Sequence, residues 1–381
     1  MYHSIAVLGS TGSVGRQTLD VAELLGLEVD ALTADSNLSL LEEQARRFRP
    51  RMVALRNKNA AAEFRCALRD TDIRVYGGEE GVRAIARETS APVVCNSICG
   101  VAGLVPTLEA IRAGHDIALS NKETLVAAGQ FVMAAAREKG VKILPVDSEH
   151  SAIFQCLTGS PKKLILTCSG GPFYGCTRDE LSRVTRRDAL AHPTWKMGPK
   201  ITVDCSTLMN KGFEVLEASW LFDLPASSID VLIHRESIVH SMVQYPDNSI
   251  LAQLSVPDMR LCVQYALTWP DRLPSHLPEL DLTTVASLSF RKPDTAVFTP
   301  LAAAYRAAER GGIVPAALNA VNERAVGLFL QEKIPYLSIF DVINEVAEAY
   351  TDTAVSSVED ILTVDHEARA FCDRYLHVIS E

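Results

Sequence analysis

From its start to about Pro145 the chain alternates short β-type apolar runs with helix-period segments, and this alternation limits the possible folds more than any other feature. The runs are Ile5 to Leu8, Glu28 to Leu32, Met52 to Leu55, Ile73 to Tyr76, Pro92 to Cys95, Asp116 to Leu119 and Lys142 to Leu144. Helical segments such as Leu38 to Phe48 and Lys122 to Lys139 lie between them. The pattern predicts an α/β domain, a doubly wound parallel sheet of Rossmann-like type with helices on both faces. Gly9-Ser10-Thr11-Gly12-Ser13-Val14-Gly15 follows the first strand and opens a helix. Its glycines let backbone approach a pyrophosphate, whose charge the helix N-terminus stabilises. The spacing is G-x-x-G-x-x-G rather than G-x-G-x-x-G, so its place between strand and helix carries as much weight as the glycines.

The second strand ends in Ala34-Asp35-Ser36-Asn37, where such domains read the adenosine ribose. Ser36 and Asn37 suit a 2′-phosphate; Asp35 repels one and accepts instead from a free 2′-hydroxyl, so the loop leaves the nicotinamide cofactor's identity open. The sixth strand ends in Ser120-Asn121-Lys122-Glu123 and the seventh in Pro145-Val146-Asp147-Ser148-Glu149-His150. Both loops follow carboxyl ends of strands, where open α/β sheets bind ligands. Asp147 and Glu149 are two apart, so in an extended loop their carboxylates point to one side and can share a hard cation. His150 ranks below them, as a helix-start or structural residue.

A second region begins with a strand at Lys163 to Thr167 that ends in Cys168-Ser169-Gly170-Gly171-Pro172, a turn able to offer hydroxyl and amide donors to an anion. The loop from Ala191 to Lys200 holds His192, Pro193, Trp195, Gly198 and Pro199. It reads either as a lid that excludes water or as a loop whose Trp195 is simply buried. In Cys205 to Trp220, a helix from about Thr207 places Phe213, Leu216 and Trp220 on an apolar face and Asn210, Glu214 and Glu217 on an adjacent stripe. That stripe reads as a metal or phosphate site, or as a solvated helix face. Strands at Ser228 to His234, Ser237 to Tyr245 and Ile250 to Ser255, with a turn at Asp247-Asn248, suggest an antiparallel layer that offers a face for oligomer contact. Pro270, Pro274, Pro278 and Pro293 mark a linker, and helices follow at Thr299 to Arg310, Val314 to Glu332, Ile339 to Tyr350 and Val358 to Tyr375. Ser338 with Asp341 and Ser356 with Glu359 are candidate helix caps. The expected division is 1–147 for a dinucleotide-binding domain, 148–268 for a central α+β catalytic and dimerisation domain, 269–294 for the linker and 295–381 for a helical bundle.

At 381 residues the chain exceeds one ordinary core, and a formal net charge of −10 argues against broad nucleic-acid or anionic-membrane binding. An anionic substrate must then be held by a few placed cations. No apolar run approaches the ~20 residues of a membrane span, and the start runs directly into a strand, so the cytoplasm, or an organelle after removal of a leader, is expected. Nine cysteines without paired spacing suggest reduced thiols, and Cys95 and Cys99 lack a second pair at zinc spacing.

Taken together, Gly9 to Gly15, Ser120 to Glu123, Val146 to His150, Ser169-Gly-Gly-Pro-Phe173, His192-Pro-Thr-Trp195, Leu208-Met-Asn-Lys-Gly212 with Glu214, and Leu318 to Glu323 resemble the 1-deoxy-D-xylulose 5-phosphate reductoisomerase family over essentially the whole chain. The resemblance implies a homodimeric enzyme of non-mevalonate isoprenoid synthesis. Such an enzyme rearranges the phosphorylated ketose and reduces it with NADPH to 2-C-methyl-D-erythritol 4-phosphate, using Mg²⁺ or Mn²⁺. By position it implies Asp147, Glu149 and Glu214 as metal ligands and Lys122 as a donor to the reacting oxygens. It implies a substrate site of Lys122, Ser148, Glu149, Ser169, His192, Cys205, Asn210, Lys211 and Glu214. Cofactor contacts follow at Thr11, Gly12, Ser13, Val14, Ser36, Asn37, Asn121, Glu123 and Gly198. Three places depart from the family's pattern. Cys205 stands where serine is usual, Asp35-Ser36 where glycine precedes a basic or small polar residue, and Arg235-Glu236 where proline and glutamine are usual. Two other readings are a noncatalytic dinucleotide sensor and a semialdehyde or acyl-phosphate reductase using Cys205 or Cys168 as nucleophile.

Overall fold

The computed structural model describes residues 2–195, 197–351 and 353–378, so Lys196 of the 191–200 loop lies outside the described residues. Contacts divide the chain into two units. The first comprises Met1–Thr124, Val132–Ser151 and Asp258–Leu277; the second comprises Leu125–Phe131, Ala152–Pro257 and Pro278–Glu381. No described helix is long and apolar enough to cross a membrane.

The chain opens with β1 (Ser4–Leu8), α1 (Ser13–Leu25), β2 (Glu28–Ala34), α2 (Leu38–Phe48), β3 (Met52–Leu55), α3 (Lys58–Ala67), β4 (Arg74–Gly77) and α4 (Gly78–Glu88). It continues through β5 (Val93–Asn96), α5 (Leu104–Ala113), β6 (Asp116–Leu119), α6 (Lys122–Lys139), β7 (Ile143–Pro145) and α7 (Ser148–Cys156). All seven strands pair in parallel, in the order β4-β3-β2-β1-β5-β6-β7. β1, β3 and β5 are buried at every position, which is why they read as unbroken apolar runs rather than as alternation. The chain builds outward from β1 to β4 and then returns to β5 on the other side of β1. The strand order therefore reverses between β1 and β5, the point where open α/β sheets form a ligand crevice.

The second unit holds β8 (Lys163–Cys168), α8 (Arg178–Leu181), α9 (Arg186–Ala189), α10 (Pro199–Ser206), α11 (Met209–Leu221), β9 (Ile229–Ile233), β10 (Val239–Gln244) and β11 (Ile250–Leu254). After these, α12 (Met259–Thr268) packs on α1 in the first unit. The remainder is α13 (Leu282–Val285), α14 (Thr299–Arg310), α15 (Val314–Leu330), α16 (Tyr336–Ala349) and α17 (Val358–Tyr375). The sheet of this unit has the order β11-β10-β8-β9 and is mixed, which corrects the expected antiparallel layer. β10 runs antiparallel to β11 and β8, but β9 runs parallel to β8. The long α8–α11 connection between β8 and β9 permits parallel pairing, whereas β10 and β11 are joined by a tight turn with Asn248 at φ 68°.

Two helix starts differ from expectation. α16 begins at Tyr336, so Ser338 lies inside it and Pro335 is its N-cap. Starting there buries Tyr336 against the rings of Phe173, Phe329 and Phe340. α17 is capped by Ser357, which forms a capping box with Asp360, one residue beyond the expected Ser356.

Candidate active site

In the first unit the glycine turn is shaped by close backbone approach. Gly9 has φ 82°, and a Cβ there would sit 2.8 Å from the Ser97 carbonyl oxygen. A Cβ on Gly15 would sit 2.2 Å from the Gly9 oxygen. The Gly9 and Ser10 amides donate to the Thr33 carbonyl at 3.1 and 2.8 Å, fastening the turn to β2. Gly12 caps α1, so Thr11, Gly12, Ser13 and Val14 surround a helix start whose first amides have no intrahelical acceptor.

At the end of β2, Asn37 caps α2 through its side-chain oxygen, while Ser36 is exposed. Asp35 accepts a 2.7 Å hydrogen bond from Arg56 Nε. A guanidinium thus offsets the repulsion that Asp35 alone would exert on a 2′-phosphate. Sequence reasoning passed over Arg56. Its signal was its place as the first residue after β3, the strand beside β2.

Asn121 caps α6, accepting the Thr124 amide at 2.8 Å and donating to the Gly100 carbonyl at 2.8 Å. The next residue, Lys122, is buried and its ammonium lies 2.7 Å from Asp147 Oδ2; Glu123 is also buried. Asp147 accepts the Ser148 amide at 3.0 Å, and the Ser148 hydroxyl donates to Glu149. Asp147 and Glu149 therefore do not share an extended loop: Glu149 stands in the first turn of α7, directly after Asp147 turns the chain into that helix. His150 is fully buried, with Nδ1 3.9 Å from Asp147 Oδ2.

In the second unit Gly170 and Gly171 both adopt positive φ, 77° and 66°. A Cβ on Gly171 would sit 2.8 Å from the Cys205 carbonyl oxygen, so the glycine lets this turn close on the last turn of α10. Ser169 Oγ accepts the Gly171 amide at 3.3 Å and lies 3.3 Å from His192 Nε2. His192 Nδ1 accepts the amides of Trp195 and Thr194 at 3.0 and 3.3 Å, which places the ring proton on Nε2, facing Ser169. Burial, aided by the Arg235 charge, brings the His192 pKa down to about 4, so the ring is a neutral donor near pH 7. Trp195 is half-buried with its ring 6.3 Å from that of His240, and Gly198 caps α10.

The expected helix from about Thr207 is α11, which starts two residues later at Met209; α10 precedes it, and Leu208 at φ 62° separates the two. Such a conformation is strained for a branched non-glycine residue. The break sets half-buried Cys205 at the end of one helix and Asn210 and Lys211 in the first turn of the next. Asn210 Nδ2 donates to Glu214 Oε1 at 2.5 Å, and the Lys211 ammonium donates to Glu214 Oε2. Lys211 and Glu214 are 2% and 1% exposed and Glu217 is fully buried, which rules out the solvated helix face. On another side of α11, Gly212 lets α14 pack closely, since a Cβ there would meet Ala304 Cβ at 2.5 Å.

The fold thus gathers Lys122, Asp147, Ser148 and Glu149 in the first unit, and in the second couples Ser169 to His192, Gly171 to Cys205, and Asn210 and Lys211 to Glu214. Family models described as 1-deoxy-D-xylulose 5-phosphate reductoisomerase match residues 5–129, and models of that enzyme's C-terminal domains match residues 143–222 and 254–371. The 1-deoxy-D-xylulose 5-phosphate reductoisomerase of Acetivibrio thermocellus is 52% identical over 97% of this chain and 98% of its own. Among solved structures, the reductoisomerase of Zymomonas mobilis in complex with NADPH is 38% identical with a TM-score of 0.92, covering all of both chains. A reductoisomerase in complex with NADPH, fosmidomycin and magnesium is 37% identical with a TM-score of 0.95, over 99% of this chain and 98% of that one. By whole-length sequence match and by fold, the chain belongs to the 1-deoxy-D-xylulose 5-phosphate reductoisomerase family.

Proposed function

We propose that the chain converts 1-deoxy-D-xylulose 5-phosphate to 2-C-methyl-D-erythritol 4-phosphate, oxidising NADPH and requiring a divalent cation, as a step in isoprenoid precursor synthesis. The observation that carries this reading is the buried Asn210-Lys211-Glu214 cluster at the start of α11, within a chain that matches the family from end to end. Reductoisomerases of this fold hold NADPH and magnesium in crystals, and the residues here suit both. The glycine turn and helix start suit a pyrophosphate, and Arg56 beside Asp35 suits a 2′-phosphate.

Asp147, Glu149 and Glu214 are the proposed metal ligands. They form an all-oxygen set that fits Mg²⁺, with Mn²⁺ as a substitute. A cation there acts as a Lewis acid toward the substrate's ketone and hydroxyl oxygens. Lys122, whose ammonium lies 2.7 Å from Asp147, donates to those oxygens. Ser148 orients Glu149. Ser169, His192, Cys205, Asn210 and Lys211 take the phosphate; Lys211 supplies the cation and His192 a neutral N–H. Ser36, Asn37, Asn121, Glu123 and Gly198 complete the cofactor site, and the 191–200 loop serves as the lid. In functional terms 1–147 serves the dinucleotide, 148–268 catalysis and dimer contact, 269–294 is the linker and 295–381 the helical cap.

The working form is a cytoplasmic homodimer; β11, an edge strand with Ile250 and Leu251 exposed, supports a contact between copies. No particular observation favours a sensor or a thiol-dependent reductase. The test is loss of NADPH absorbance on adding 1-deoxy-D-xylulose 5-phosphate with and without Mg²⁺. Loss that depends on the cation is expected; no loss with Mg²⁺ or Mn²⁺ present overturns the reading.

A further inference from the structure

Arg235 stands where the family's pattern has proline, and the structure gives it specific contacts. Its Nη1 donates to two carbonyl oxygens, those of Ser169 at 2.6 Å and Gly171 at 2.7 Å. Nη1 carries two hydrogens, one for each carbonyl, and both bonds are short and charge-assisted. The guanidinium also lies over the Tyr174 ring, 5.2 Å from its centroid, which limits its rotation. The backbone that carries Arg235 is itself fastened. His234 Nδ1 lies 2.9 Å from the Ser289 oxygen, and Nε2 accepts the Ile238 and Val239 amides at 3.2 and 3.1 Å.

The segment that Arg235 grips has little conformational constraint of its own. Ser169 is followed by two glycines at positive φ, and glycine has the largest conformational freedom to lose. The Ser169 carbonyl shares a planar trans peptide with the Gly170 amide, so the two point in opposite directions. Fixing the carbonyl on Arg235 therefore aims the Gly170 N–H away from it. Gly170 is buried, and among the described residues its amide donates to no protein acceptor. An amide with no protein acceptor in a buried turn is free to receive a ligand. Ser169 Oγ and His192 Nε2 belong to the same turn and its neighbour.

We propose that Arg235 is a positioning residue of the phosphate pocket: by holding the Ser169 and Gly171 carbonyls it fixes the turn whose hydroxyl and Gly170 amide receive the substrate's phosphate. The proposal rests on the phosphate-pocket reading given above. Its positive charge also adds to the field that an acidic protein needs locally for an anion.

The test compares Arg235→Met, Arg235→Lys and Lys211→Met in the Mg²⁺-loaded enzyme with NADPH. It measures kcat, the KM for each substrate, and inhibition by inorganic phosphate in competition with 1-deoxy-D-xylulose 5-phosphate. Arg235→Met should raise the sugar-phosphate KM and the phosphate inhibition constant by about tenfold or more, as expected for losing charge-assisted hydrogen bonds, with the KM for NADPH unchanged. Arg235→Lys should recover part of the loss, because an ammonium reaches the carbonyls without the planar fork. If Lys211→Met weakens phosphate binding while Arg235→Met leaves it at the parent value, the role of Arg235 is overturned and the pocket stands. If neither variant changes it, the pocket itself is overturned, and the proposal with it. Should Arg235→Met fail to fold, Arg235→Gln, which can donate to one carbonyl, replaces it under the same criteria.

Discussion

Replacing Gly15 by alanine separates cofactor binding from stability. The new Cβ would lie 2.2 Å from the Gly9 oxygen, 2.6 Å from Ser10 Cα and 2.8 Å from the Ser10 carbonyl carbon. All three are backbone atoms, so no side chain can rotate away. Restoring ordinary separations of about 3.5 Å requires the first turn of α1 to retreat by roughly 1 Å. Overpacking of this kind costs about 1–3 kcal/mol, offset by the roughly 1 kcal/mol gained when alanine replaces a helical glycine. The net change in stability is then about 0–2 kcal/mol. The retreat also draws the helix's free amides away from the pyrophosphate, and hydrogen bonds to a charged group are worth about 1.5–3 kcal/mol. The NADPH Kd should rise roughly 10- to 100-fold, read by nucleotide fluorescence titration alongside thermal unfolding. Gly26→Ala is the control: at φ 65° it strains the backbone, but its Cβ meets nothing, so it should lower Tm and leave NADPH affinity alone. NADPH binding by Gly15→Ala within about twofold of the parent, or an equal loss in Gly26→Ala, would refute the reasoning.

Arg56→Ala should reduce the preference for NADPH over NADH by about tenfold, because it leaves Asp35 facing the 2′-phosphate alone; an unchanged ratio of kcat/KM values removes Arg56 from the site. Glu214→Gln should abolish turnover at every Mg²⁺ concentration while NADPH affinity stays within about twofold, and equal loss of both contradicts a metal role. Cys205→Ser should lower the KM for the sugar phosphate a few-fold, since a hydroxyl is a better donor than a thiol; a raised KM would take Cys205 out of the pocket. His192 has a folded pKa of about 4 against 6.5 unperturbed, so the unfolded chain takes up a proton that the folded one does not. Its contribution to stability is complete above about pH 6.5 and is lost as the pH falls toward 4; His192→Gln should flatten that part of the Tm profile, and an unaltered slope would contradict the assignment.

The parallel sheet was legible because β1, β3 and β5 are covered on both faces, which leaves continuous apolar runs that helices must separate. The partners of β9 were not legible. Side-chain pattern reports which face of a strand is buried, not which neighbour it pairs with or in which direction. The break at Leu208 was hidden for a different reason: leucine is a good helix former, and its left-handed conformation follows from tertiary packing rather than local preference. Among site residues, motif positions such as Lys122, Asn210 and Lys211 stood out through unusual polar types beside apolar runs. Their burial did not, because it depends on elements distant in the chain that pack around them. Arg56 and Arg235 hydrogen-bond partners on other strands and turns, at separations that no local pattern encodes.

The packing of α12 on α1 bears on how the protein is made. Roughly 230 residues lie between these helices, which at ordinary elongation rates is roughly 10–50 s of synthesis. Throughout that interval α1, the helix that follows the glycine turn, lacks α12 as a neighbour, a helix that buries Cys262, Val263, Ala266 and Leu267. Domains usually complete themselves on the ribosome in order of emergence, but the first unit, which includes Asp258–Leu277, is not complete until the chain has passed Leu277. A fragment ending after β7 would carry the cofactor motif on an unfinished domain, and the nascent protein would acquire its nucleotide late, after the sheet bearing the Ser169 turn has already been synthesised.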